Sequence, residues 1–368
     1  MKPAHSSPTV MQVITKGELG GAQTHVLALC GALAGRVRLM AVIGGTEPAP
    51  PLALGLQALG VPVLRAPALG NSLAPWRLAR AVRQLARLIR THRPDVLHAH
   101  SAAAGVAARI AGRLCGTPVV YTVHGFAFKP EAPWLRRHVA WCTEWLLARW
   151  TGHMVCVSEY ERRLAQRLPI APERISVVLN AMPDSPHRAQ PAGTARIIMV
   201  ARLAAPKRAD LLLHALTRLR GALGHEAPAS LVGDGPERPA LQALARRLGL
   251  QGVDFAGNAA DVPERLAAHG IFVLLSDHEG LPISVIEAMR AGLAIVGSDL
   301  PGLRELLSSG QHGVLTPNTP EAIAQALERL VRDPALRARM GQAARARYEQ
   351  RHALEPMASA ILDIYARA

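Results

Sequence analysis

The sequence predicts an α/β protein with two doubly wound domains in series. The chain has 368 residues, which is more than one ordinary hydrophobic core organises and a natural length for two domains. Short apolar segments rich in β-branched residues alternate with Ala/Leu/Arg stretches of helical spacing, a pattern typical of βαβ units around a parallel sheet. Between the halves, residues 181–194 contain three prolines and no periodicity, which indicates a linker.

The predicted strands follow one another with a helix in each gap. In the first half they are expected at 9–15, 37–43, 61–66, 95–99, 118–123, 153–157 and 174–179. After the linker the alternation restarts, with two or three helices after residue 319 and strands at 196–201, 229–233, 252–256, 271–275 and 294–297. Such sheets bind ligands at the carboxyl ends of their strands, so a site is expected in a cleft between the domains.

Composition narrows the class of protein. Hydrophobic residues make up 49% of the chain and no segment runs 18 apolar residues without a charge, so we expect filled cores rather than a membrane-spanning protein. The N-terminal residues lack the apolar core of a signal peptide, which predicts a cytoplasmic protein. Neither a disulfide framework nor a zinc site is expected, because the cysteines show no CxxC spacing: Cys30, Cys115, Cys142 and Cys156.

The net charge of +15 is concentrated in the first half of the chain. Residues 1–190 hold 22 Lys and Arg against 9 Asp and Glu, whereas residues 191–368 hold 20 against 18. A basic half can attract nucleic acid, an anionic membrane or a phosphorylated substrate, and charge by itself does not choose among these partners.

Glycines follow the first predicted strand, where the chain turns into a helix. Gly20 and Gly21 would let the backbone approach a ligand closely, and the N-terminus of the next helix offers amide hydrogens to a phosphate. The turn lacks the GxGxxG spacing of a dinucleotide fold, so a phosphate loop and an ordinary turn both stay open.

Cations and tight turns follow the strands of the second half. Arg202 and Lys207 come directly after its first strand, where they could neutralise a diphosphate without a metal ion or simply be solvated cations. Turns at 233–236 (GDGP) and at Gly257 and Asn258 close the next two strands. They can leave backbone groups free to read a base, although such turns are also common without a ligand.

Two carboxylates, Glu279 and Glu287, follow the apolar strand IFVLL. Glu279 is expected in a loop, and a helix that begins near Pro282 carries Glu287 two turns further on. Glu287 lies among apolar side chains, so we expect it to be buried and to need hydroxyl or cationic partners. Ribose hydroxyls would serve.

In their order along the chain, these motifs resemble the retaining glycosyltransferases of family four, which have the GT-B fold. In the second half the resemblance rests on Arg202, Lys207, residues 233–236, the pair Glu279 and Glu287 with seven residues between them, and Asp299-Leu300-Pro301-Gly302 followed by Glu305. In the first half the landmarks are Gly20-Gly21-Ala22-Gln23, His98-Ala99-His100, His124-Gly125, Val157-Ser158-Glu159 and Asn180. Each motif is loose, but the ordered set is specific and covers nearly the whole chain.

The resemblance implies a domain division. It implies two Rossmann-like domains that face each other across a cleft, with an acceptor domain at 1–180 and a nucleotide-sugar donor domain at 195–350. The segment 181–194 would link them, and the last helix, 351–368, is expected to cross back to the N-terminal domain.

The resemblance also implies roles for the site residues. Arg202 and Lys207 would hold the donor diphosphate, and Glu287 the ribose hydroxyls. Glu279 would bind hydroxyls of the transferred sugar and His124 would sit beside the reacting sugar, so these two are the expected catalytic residues. Further donor contacts are expected from Gly20, Gly21, Gly257, Asn258, Gly280, Leu281 and Ile283.

The resemblance further implies that the acceptor hydroxyl attacks from the face that the leaving group departs, with the departing phosphate taking its proton. The sequence has no DxD pair, so a metal-bridged diphosphate has no obvious ligands. We therefore expect no metal and no cofactor apart from the nucleotide diphosphate sugar.

Histidines at the ends of predicted strands allow a metal site as an alternative. His98 and His100 would point to the same face of one strand, but no carboxylate or third histidine near them completes a ligand set. His124 as an isolated histidine would be structural, and the resemblance favours a catalytic role.

Two segments fit a membrane surface as well as ordinary packing. Residues 76–90 form a helix with arginines on one side and apolar residues on the other, which can pack on the sheet, lie on an anionic membrane, or do both. Residues 121–160 hold eight of the thirteen aromatics, and Trp141 and Trp145 share one helical face. That face suits either a core or an interfacial surface where a lipid-linked acceptor docks.

The sequence therefore predicts a retaining glycosyltransferase that moves a hexose or N-acetylhexosamine from a nucleotide diphosphate sugar to a carbohydrate acceptor, such as a lipid-linked one. We expect it to act in cell-surface polysaccharide or glycolipid synthesis, in the cytoplasm or on the inner face of the cytoplasmic membrane. The alternatives are a sugar-nucleotide epimerase and a non-catalytic binder of sugar nucleotide or nucleic acid, although no nucleic-acid partner is expected.

Overall fold

The computed structural model describes residues 7–18, 20–72, 74–129 and 133–368. Contacts divide the chain into two compact units, the first of residues Met1–Ala181 and Leu354–Ala368 and the second of residues Met182–Ala353. Among the described helices, none combines the length and apolar character that crossing a bilayer demands.

Strands and helices alternate through both units. The described strands are β1 (Thr9–Ile14), β2 (Arg38–Gly44), β3 (Val63–Ala66), β4 (Val96–Ala99), β5 (Val119–Val123), β6 (His153–Cys156), β7 (Ile175–Val177), β8 (Ile197–Val200), β9 (Ala229–Val232), β10 (Val253–Gly257), β11 (Ile271–Leu274), β12 (Ala294–Ser298) and β13 (Gly313–Thr316). The described helices are α1 (Gly21–Leu33), α2 (Pro51–Ala58), α3 (Pro75–His92), α4 (Ala102–Cys115), α5 (Trp134–Ala148), α6 (Glu159–Ala165), α7 (Ala209–Leu223), α8 (Arg238–Arg247), α9 (Val262–Ala267), α10 (Ile283–Ala291), α11 (Pro301–Leu306), α12 (Pro320–Arg332), α13 (Pro334–Arg351) and α14 (Leu354–Arg367).

The first unit is a parallel sheet of seven strands in the order β3-β2-β1-β4-β5-β6-β7. Side chains alternate across the sheet, so Met11 and Val13 of β1 pack in one core with α3, α4, α5 and α6. Val10 faces the other side, in a core with α1 and α14, and Ile14 packs there with α1 and α2. Helices therefore cover both faces of the sheet, as in other parallel sheets.

The C-terminal helix α14 belongs to the first unit. Its apolar face, which includes Met357, Ile361 and Ile364, packs against Leu29 and Leu33 of α1. The chain thus returns to the first sheet after the second unit is complete.

The second unit is a parallel sheet of six strands in the order β10-β9-β8-β11-β12-β13. Its last strand, β13, was not expected from the sequence, because Gly313 and a following proline make the segment resemble a turn. In the sheet, a Cβ on Gly313 would lie 2.5 Å from the carbonyl oxygen of Ile295, so the glycine is what allows β13 to pair closely with β12.

The segment 181–194, expected as a linker, is attached to the second unit. The guanidinium of Arg345 binds both carboxylate oxygens of Asp184, at 2.7 and 2.8 Å. This contact is the main reason that the pKa of Asp184 lies below its ordinary value. Arg337 donates to the carbonyl of Pro191 at 2.7 Å. The partners come from a helix about 150 residues away, so the sequence pattern alone could not reveal them.

Candidate active site

Each sheet reverses its strand order at one point, between β1 and β4 in the first unit and between β8 and β11 in the second. Loops that leave adjacent strands at such a point run in opposite directions and open a crevice at the carboxyl ends of the strands. Gly20 and Gly21 follow β1, Arg202 and Lys207 follow β8, and Glu279 follows β11. Five of the predicted site residues therefore follow strands that flank the two switch points.

In the second unit the two loops that flank the switch point are joined to each other. Lys207 and Ser276 pair as an antiparallel bridge, and the amide of Arg208 donates to the carbonyl of Leu275 at 2.9 Å. The ammonium of Lys207 forms an ion pair with the carboxylate of Glu279. The cation expected to hold phosphate and the carboxylate expected to hold sugar hydroxyls are thus in direct contact.

Arg202 lies in the first of these loops and is exposed. None of the described acidic side chains forms an ion pair with it. The next residue, Leu203, donates its amide to the carbonyl of Asp234 at 2.9 Å. An anchored backbone with a free guanidinium suits the recognition of a mobile anionic ligand.

The glycines of the 233–236 turn make this anchoring possible. A Cβ on Gly233 would lie 2.0 Å from the carbonyl oxygen of Ala201, and one on Gly235 would lie 2.3 Å from that of Leu203. Gly233 also has a φ of +130°, which a side chain disfavours. The turn is therefore a platform for the Arg202 loop.

The next predicted turn lies beside this platform. Gly257 ends β10 with a φ of +69°, and its carbonyl accepts a hydrogen bond from the amide of Gly233 at 2.7 Å. Asn258, directly after it, is exposed. Both residues lie at the same edge of the sheet as the Arg202 loop.

The loop that carries Glu279 is supported by polar residues that sequence reasoning missed. Ser298 accepts from the amide of Ser276 at 2.9 Å and donates to the side-chain oxygen of Asn318. The amide group of Asn318 in turn donates to the carbonyl of Ser276 at 2.9 Å. Ser298 ends β12 and Asn318 follows β13, so only the order of strands in the sheet brings them to the loop.

Gly302 supports the same loop from the other side. A Cβ at this position would lie 1.8 Å from the carbonyl oxygen of Gly280. Helix α11 therefore rests directly on the loop backbone, which explains the glycine in the Asp299-Leu300-Pro301-Gly302 motif.

Helix α10 presents its N-terminus to the end of this loop. It begins at Ile283 after Pro282, without a side-chain cap and without an acidic residue in its first turn. Leu281 and Ile283 are buried, and Gly280 is partly exposed. The uncapped end leaves the positive end of the helix dipole available to an anion.

Glu287 lies on α10, one helical turn beyond this N-terminus. Its side chain is largely surrounded by protein, and none of the described groups donates a hydrogen bond to its carboxylate. Burial raises the pKa of Glu287 to about 7, an effect that nearby Arg290 partly opposes. A buried carboxyl with a raised pKa lacks hydroxyl or cationic partners, and a ligand could supply them.

In the first unit, Gly20 and Gly21 form the start of α1 and are both exposed. The helix has no side-chain cap and no acidic residue in its first turn. A Cβ on Gly20 would lie 2.8 Å from the side-chain oxygen of Gln23, whose amide group donates to the carbonyl of Lys16 at 3.0 Å. The glycine therefore keeps the turn compact and its amides accessible.

Four histidines gather at the switch point of the first sheet. The ring centroids of His25 and His124 are 4.9 Å apart, those of His25 and His100 are 5.5 Å apart, and those of His98 and His100 are 4.1 Å apart. His98 and His100 come from β4 and its end, His124 follows β5, and His25 comes from α1. We call these residues the histidine cluster.

A hydrogen-bonded chain orients two members of the histidine cluster. Tyr365 from α14 contacts Nδ1 of His98 at 2.6 Å and accepts from the amide group of Gln12 at 3.1 Å. The side-chain oxygen of Gln12 then lies 2.7 Å from Nε2 of His100. Because that oxygen can only accept, Nε2 of His100 carries the proton and Nδ1 of a neutral ring is left as an acceptor.

The histidine cluster corrects one sequence-based expectation. No third histidine was expected near His98 and His100, yet His25, His100 and His124 have ring nitrogens that all lie within 4.8 Å of one another. Burial lowers the pKa of His25 to about 4, opposed by a contact from Asn180, and burial and neighbouring histidines lower the pKa of His98, His100 and His124. Neutral imidazoles in this arrangement are ligands that a transition metal can use.

Comparison with known proteins identifies the family. The family described as Glycosyltransferase Family 4 matches residues 19–185, and the family described as Glycosyl transferases group 1 matches residues 184–347. An Escherichia coli protein described as UDP-Gal:alpha-D-GlcNAc-diphosphoundecaprenol alpha-1,3-galactosyltransferase is 28% identical over 73% of this chain and 75% of its own. A Mycobacterium tuberculosis glycogen synthase is 28% identical over 95% of this chain and 92% of its own.

Among solved structures, Anabaena HepE in complex with UDP and glucose is similar to this chain with a TM-score of 0.83 and 22% identity, over 98% of this chain and 100% of that one. This likeness confirms the predicted fold, two parallel-sheet α/β domains of the GT-B class. The two family matches, which together run from residue 19 to residue 347, show that the chain belongs to the group 1 glycosyltransferases of family four.

Proposed function

We propose that the protein is a retaining, metal-independent glycosyltransferase that moves a hexose or N-acetylhexosamine from a nucleotide diphosphate sugar to a lipid-linked carbohydrate acceptor. The product would enter cell-surface polysaccharide or glycolipid synthesis. The observation that carries the proposal is Glu287, a largely buried carboxyl with a raised pKa and no described protein donor, beside the uncapped N-terminus of α10. Ribose hydroxyls of a nucleotide would supply the missing hydrogen bonds.

The cations of the second unit suit the diphosphate of such a donor. Arg202 is exposed and unpaired among the described residues, and Lys207 is held beside Glu279. We propose that both cations neutralise the charge that builds on the leaving phosphate, with the amides of Gly280, Leu281 and Ile283 as further donors. Glu279 would bind hydroxyls of the transferred sugar, and Gly257 and Asn258 would face the base.

In the first unit, we propose that the amides of Gly20 and Gly21 bind donor phosphate and that His124 lies beside the reacting sugar. The acceptor oxygen would form the new bond to the anomeric carbon as the bond to phosphate breaks on the same face. The acceptor proton would pass to the departing phosphate oxygen. His124 is neutral at pH 7 because burial lowers its pKa, so it would accept or donate a hydrogen bond without carrying charge.

Relatives support the choice of substrates. Anabaena HepE was solved in complex with UDP and glucose, and the name of the similar Escherichia coli enzyme specifies a UDP sugar and a diphosphoundecaprenol-linked acceptor. On this basis we propose a nucleotide diphosphate sugar as donor and a lipid-linked acceptor on the inner face of the cytoplasmic membrane.

The donor site is tested by Arg202→Ala and Glu287→Ala, with turnover measured over a panel of nucleotide sugars and acceptors. Each variant should lose orders of magnitude in turnover. Arg246→Ala, an exposed arginine of α8, is the matched control and should keep normal turnover. Near-normal rates in both site variants would overturn the assignment of the donor site.

Retention and metal independence need separate measurements. The anomeric configuration of the product, read by NMR, should match that of the donor, and an inverted product would contradict the retaining mechanism. Turnover should survive a strong chelator. Loss of turnover with chelator and its recovery with zinc would instead assign a metal to His25, His100 and His124.

The alternative functions are less well supported. Both family matches and the similar curated proteins are glycosyltransferases, which does not favour an epimerase or a non-catalytic binder. An epimerase would convert the donor sugar without an acceptor and restore the diphosphate bond, so incubation with donor alone separates the two reactions.

A further inference from the structure

All five tryptophans of the chain lie at the surface of the first unit. Trp76 is in the first turn of α3, Trp134, Trp141 and Trp145 are on α5, and Trp150 lies just beyond α5. Their exposed fractions run from 38% to 68%. Tryptophan is usually well buried in a globular protein, so this distribution needs a physical reason.

Helix α5 exposes large apolar side chains that an ordinary surface helix would bury. Its inner side holds Leu147, Ala148 and also Glu144, which forms a buried two-pronged ion pair with Arg109 of α4 at 2.8 and 3.1 Å. Its outer side holds Leu135, Val139 and Leu146, which are 64%, 57% and 55% exposed. A helix with a paired charge inside and large apolar side chains outside presents a surface that water does not favour.

Helix α3 supplies positive charge on the same side of the unit. Its inner side packs Leu85 and Ile89 into the core, and its outer side carries five exposed arginines: Arg77, Arg80, Arg83, Arg87 and Arg90. None of them forms an ion pair with a side chain of the described residues. The basic side is therefore free to meet anionic partners.

The two helices belong to one continuous face. Both pack, with α4 between them, in the core on one side of the sheet. A groove of about 500 Å³ runs along this face, lined by Arg83, Arg87 and Arg90 together with Leu114, which is 62% exposed. A groove with guanidinium groups and an exposed leucine offers contacts to a phosphate and to an apolar chain at once.

We propose that this face, α3 with α5, is a docking surface for a membrane of anionic phospholipid. Tryptophans on α5 would lie at the level of the headgroups, Leu135, Val139 and Leu146 would enter the acyl boundary, and the arginines of α3 would contact lipid phosphates. Trp76 and Trp134 start their helices at the carboxyl edge of the sheet, where His124 also lies. The surface therefore brings that edge toward the bilayer.

Charge and apolar character together favour a membrane over other occupants. Nucleic acid would use the arginines but would leave the leucines and valine of α5 facing water. A second copy of the chain would cover the apolar residues but would bring two strongly basic faces together, which repel each other. An anionic bilayer satisfies both halves of the surface.

The test is flotation of the full chain with vesicles of phosphatidylcholine alone or with 30 mol% phosphatidylglycerol, in the absence of donor and acceptor. The wild type should bind the anionic vesicles at least tenfold more tightly. Because all five tryptophans lie on the proposed surface, their intrinsic emission should shift to the blue on binding and should be quenched by brominated lipid.

Matched variants separate this surface from bulk charge and apolar area. Arg80→Gln/Arg83→Gln/Arg87→Gln should weaken binding at least tenfold, whereas Arg246→Gln/Arg247→Gln/Arg339→Gln removes the same charge from exposed sites of the second unit and should stay within twofold of wild type. Leu135→Ser/Leu146→Ser should also weaken binding tenfold. Its control is Leu54→Ser/Leu59→Ser, exposed leucines on and just after α2.

Three outcomes would overturn the proposal. They are equal binding to both vesicle types, equal binding by a surface variant and its control, and a dimer in solution that Leu135→Ser/Leu146→Ser dissociates. A role for this surface in presenting a lipid-linked acceptor to the enzyme rests on the proposed function, whereas vesicle binding does not. A chain that binds vesicles but transfers no sugar would contradict the proposed function alone.

Discussion

At the scale of single residues, two similar carboxylates have different surroundings. Glu279 is paired with Lys207, whereas Glu287 lacks a described donor and burial raises its pKa to about 7. A buried carboxyl that is costly to ionise in the free protein is typical of a ligand contact, because the ligand can supply the hydrogen bonds that the protein does not provide. Glu279 is therefore already held in an ion pair, whereas Glu287 is the carboxyl whose hydrogen bonds a ligand would supply.

Glu287→Gln should stabilise the free protein while it lowers turnover. Because the folded-state pKa of Glu287 is raised above its ordinary 4.5, ionisation opposes folding, with no cost below about pH 4.5 and the full cost above pH 7. The variant should therefore gain less than about 1 kcal/mol at pH 5 and about 3 kcal/mol at pH 8. Urea denaturation at both pH values measures the difference.

The control for this measurement is Glu328→Gln, which removes one partner of an exposed ion pair with Arg332. Its stability should change by less than about 1 kcal/mol at both pH values. A Glu287→Gln gain that is the same at pH 5 and pH 8 would mean that the raised pKa of Glu287 is not its source.

At the scale of elements, close backbone contacts hold the site loops in place. Gly233 and Gly235 let one turn rest on the Arg202 loop, and Gly302 lets α11 rest on the loop of Glu279 and Gly280. The backbone φ of Gly302 is not in the left-handed region, so any residue could adopt its conformation. The position requires glycine only because a Cβ would clash with the loop. Motif glycines of this kind act on ligand binding through the loops that they support.

Gly302→Ala tests this support. A methyl group 1.8 Å from a carbonyl oxygen forces the Glu279 loop to move, so turnover should fall at least tenfold and stability by about 1–3 kcal/mol. Gly221→Ala is the control, because Gly221 is at an exposed position of α7 and a Cβ there meets nothing within 4 Å. It should leave turnover unchanged and be neutral or slightly stabilising. Full turnover in Gly302→Ala would exclude the proposed support.

The ion pair between Arg109 and Glu144 makes a second prediction at this scale. Arg109→Met leaves Glu144 buried without its cation and should cost about 3–5 kcal/mol of first-unit stability. Arg109→Met/Glu144→Met removes both charges and should recover most of that loss. Thermal unfolding compares the two, and a double variant as unstable as the single one would show that the charge pair is not what holds α5.

At the scale of the whole molecule, the first unit differs from the second in holding a cluster of four histidines. Burial lowers the pKa of all four members of the histidine cluster, which lie in the first unit. Each therefore stays neutral in the folded state at a pH where the unfolded chain is protonated. The first unit should respond to mild acid more steeply than a single titrating group allows.

The first unit should lose stability as the pH falls from 6.5 toward 4, since the unfolded chain then binds protons that the folded histidine cluster does not. With more than one histidine involved, the loss should exceed about 1.4 kcal/mol per pH unit. Hydrogen exchange of α1 and β4 between pH 7.5 and pH 4.5, corrected for intrinsic rates, measures it. Constant protection across this range would contradict the prediction.

Local patterns in the sequence determined the fold class and the family. Alternating apolar strands and helices depend on backbone geometry over a few residues, so β1 and β8 could be located directly, and the ordered motifs from Gly20 to Glu305 pointed to family four. The roles of the site residues stay predictions. β13 was missed because its glycine and a following proline look like a turn when its partner strand is not known.

Only the tertiary structure decided what those local patterns bring together. His25 joins His100 and His124 because α1 begins just after β1, which pairs with β4, and Asn318 reaches the Glu279 loop because β13 lies beside β12. From the sequence, the tryptophans of α5 suited a core or an interface equally well, and the rotation of the helix in the structure leaves all three of them exposed. Contacts of this kind depend on strand order and helix rotation, which are set by packing across the whole sheet rather than by neighbours in the chain.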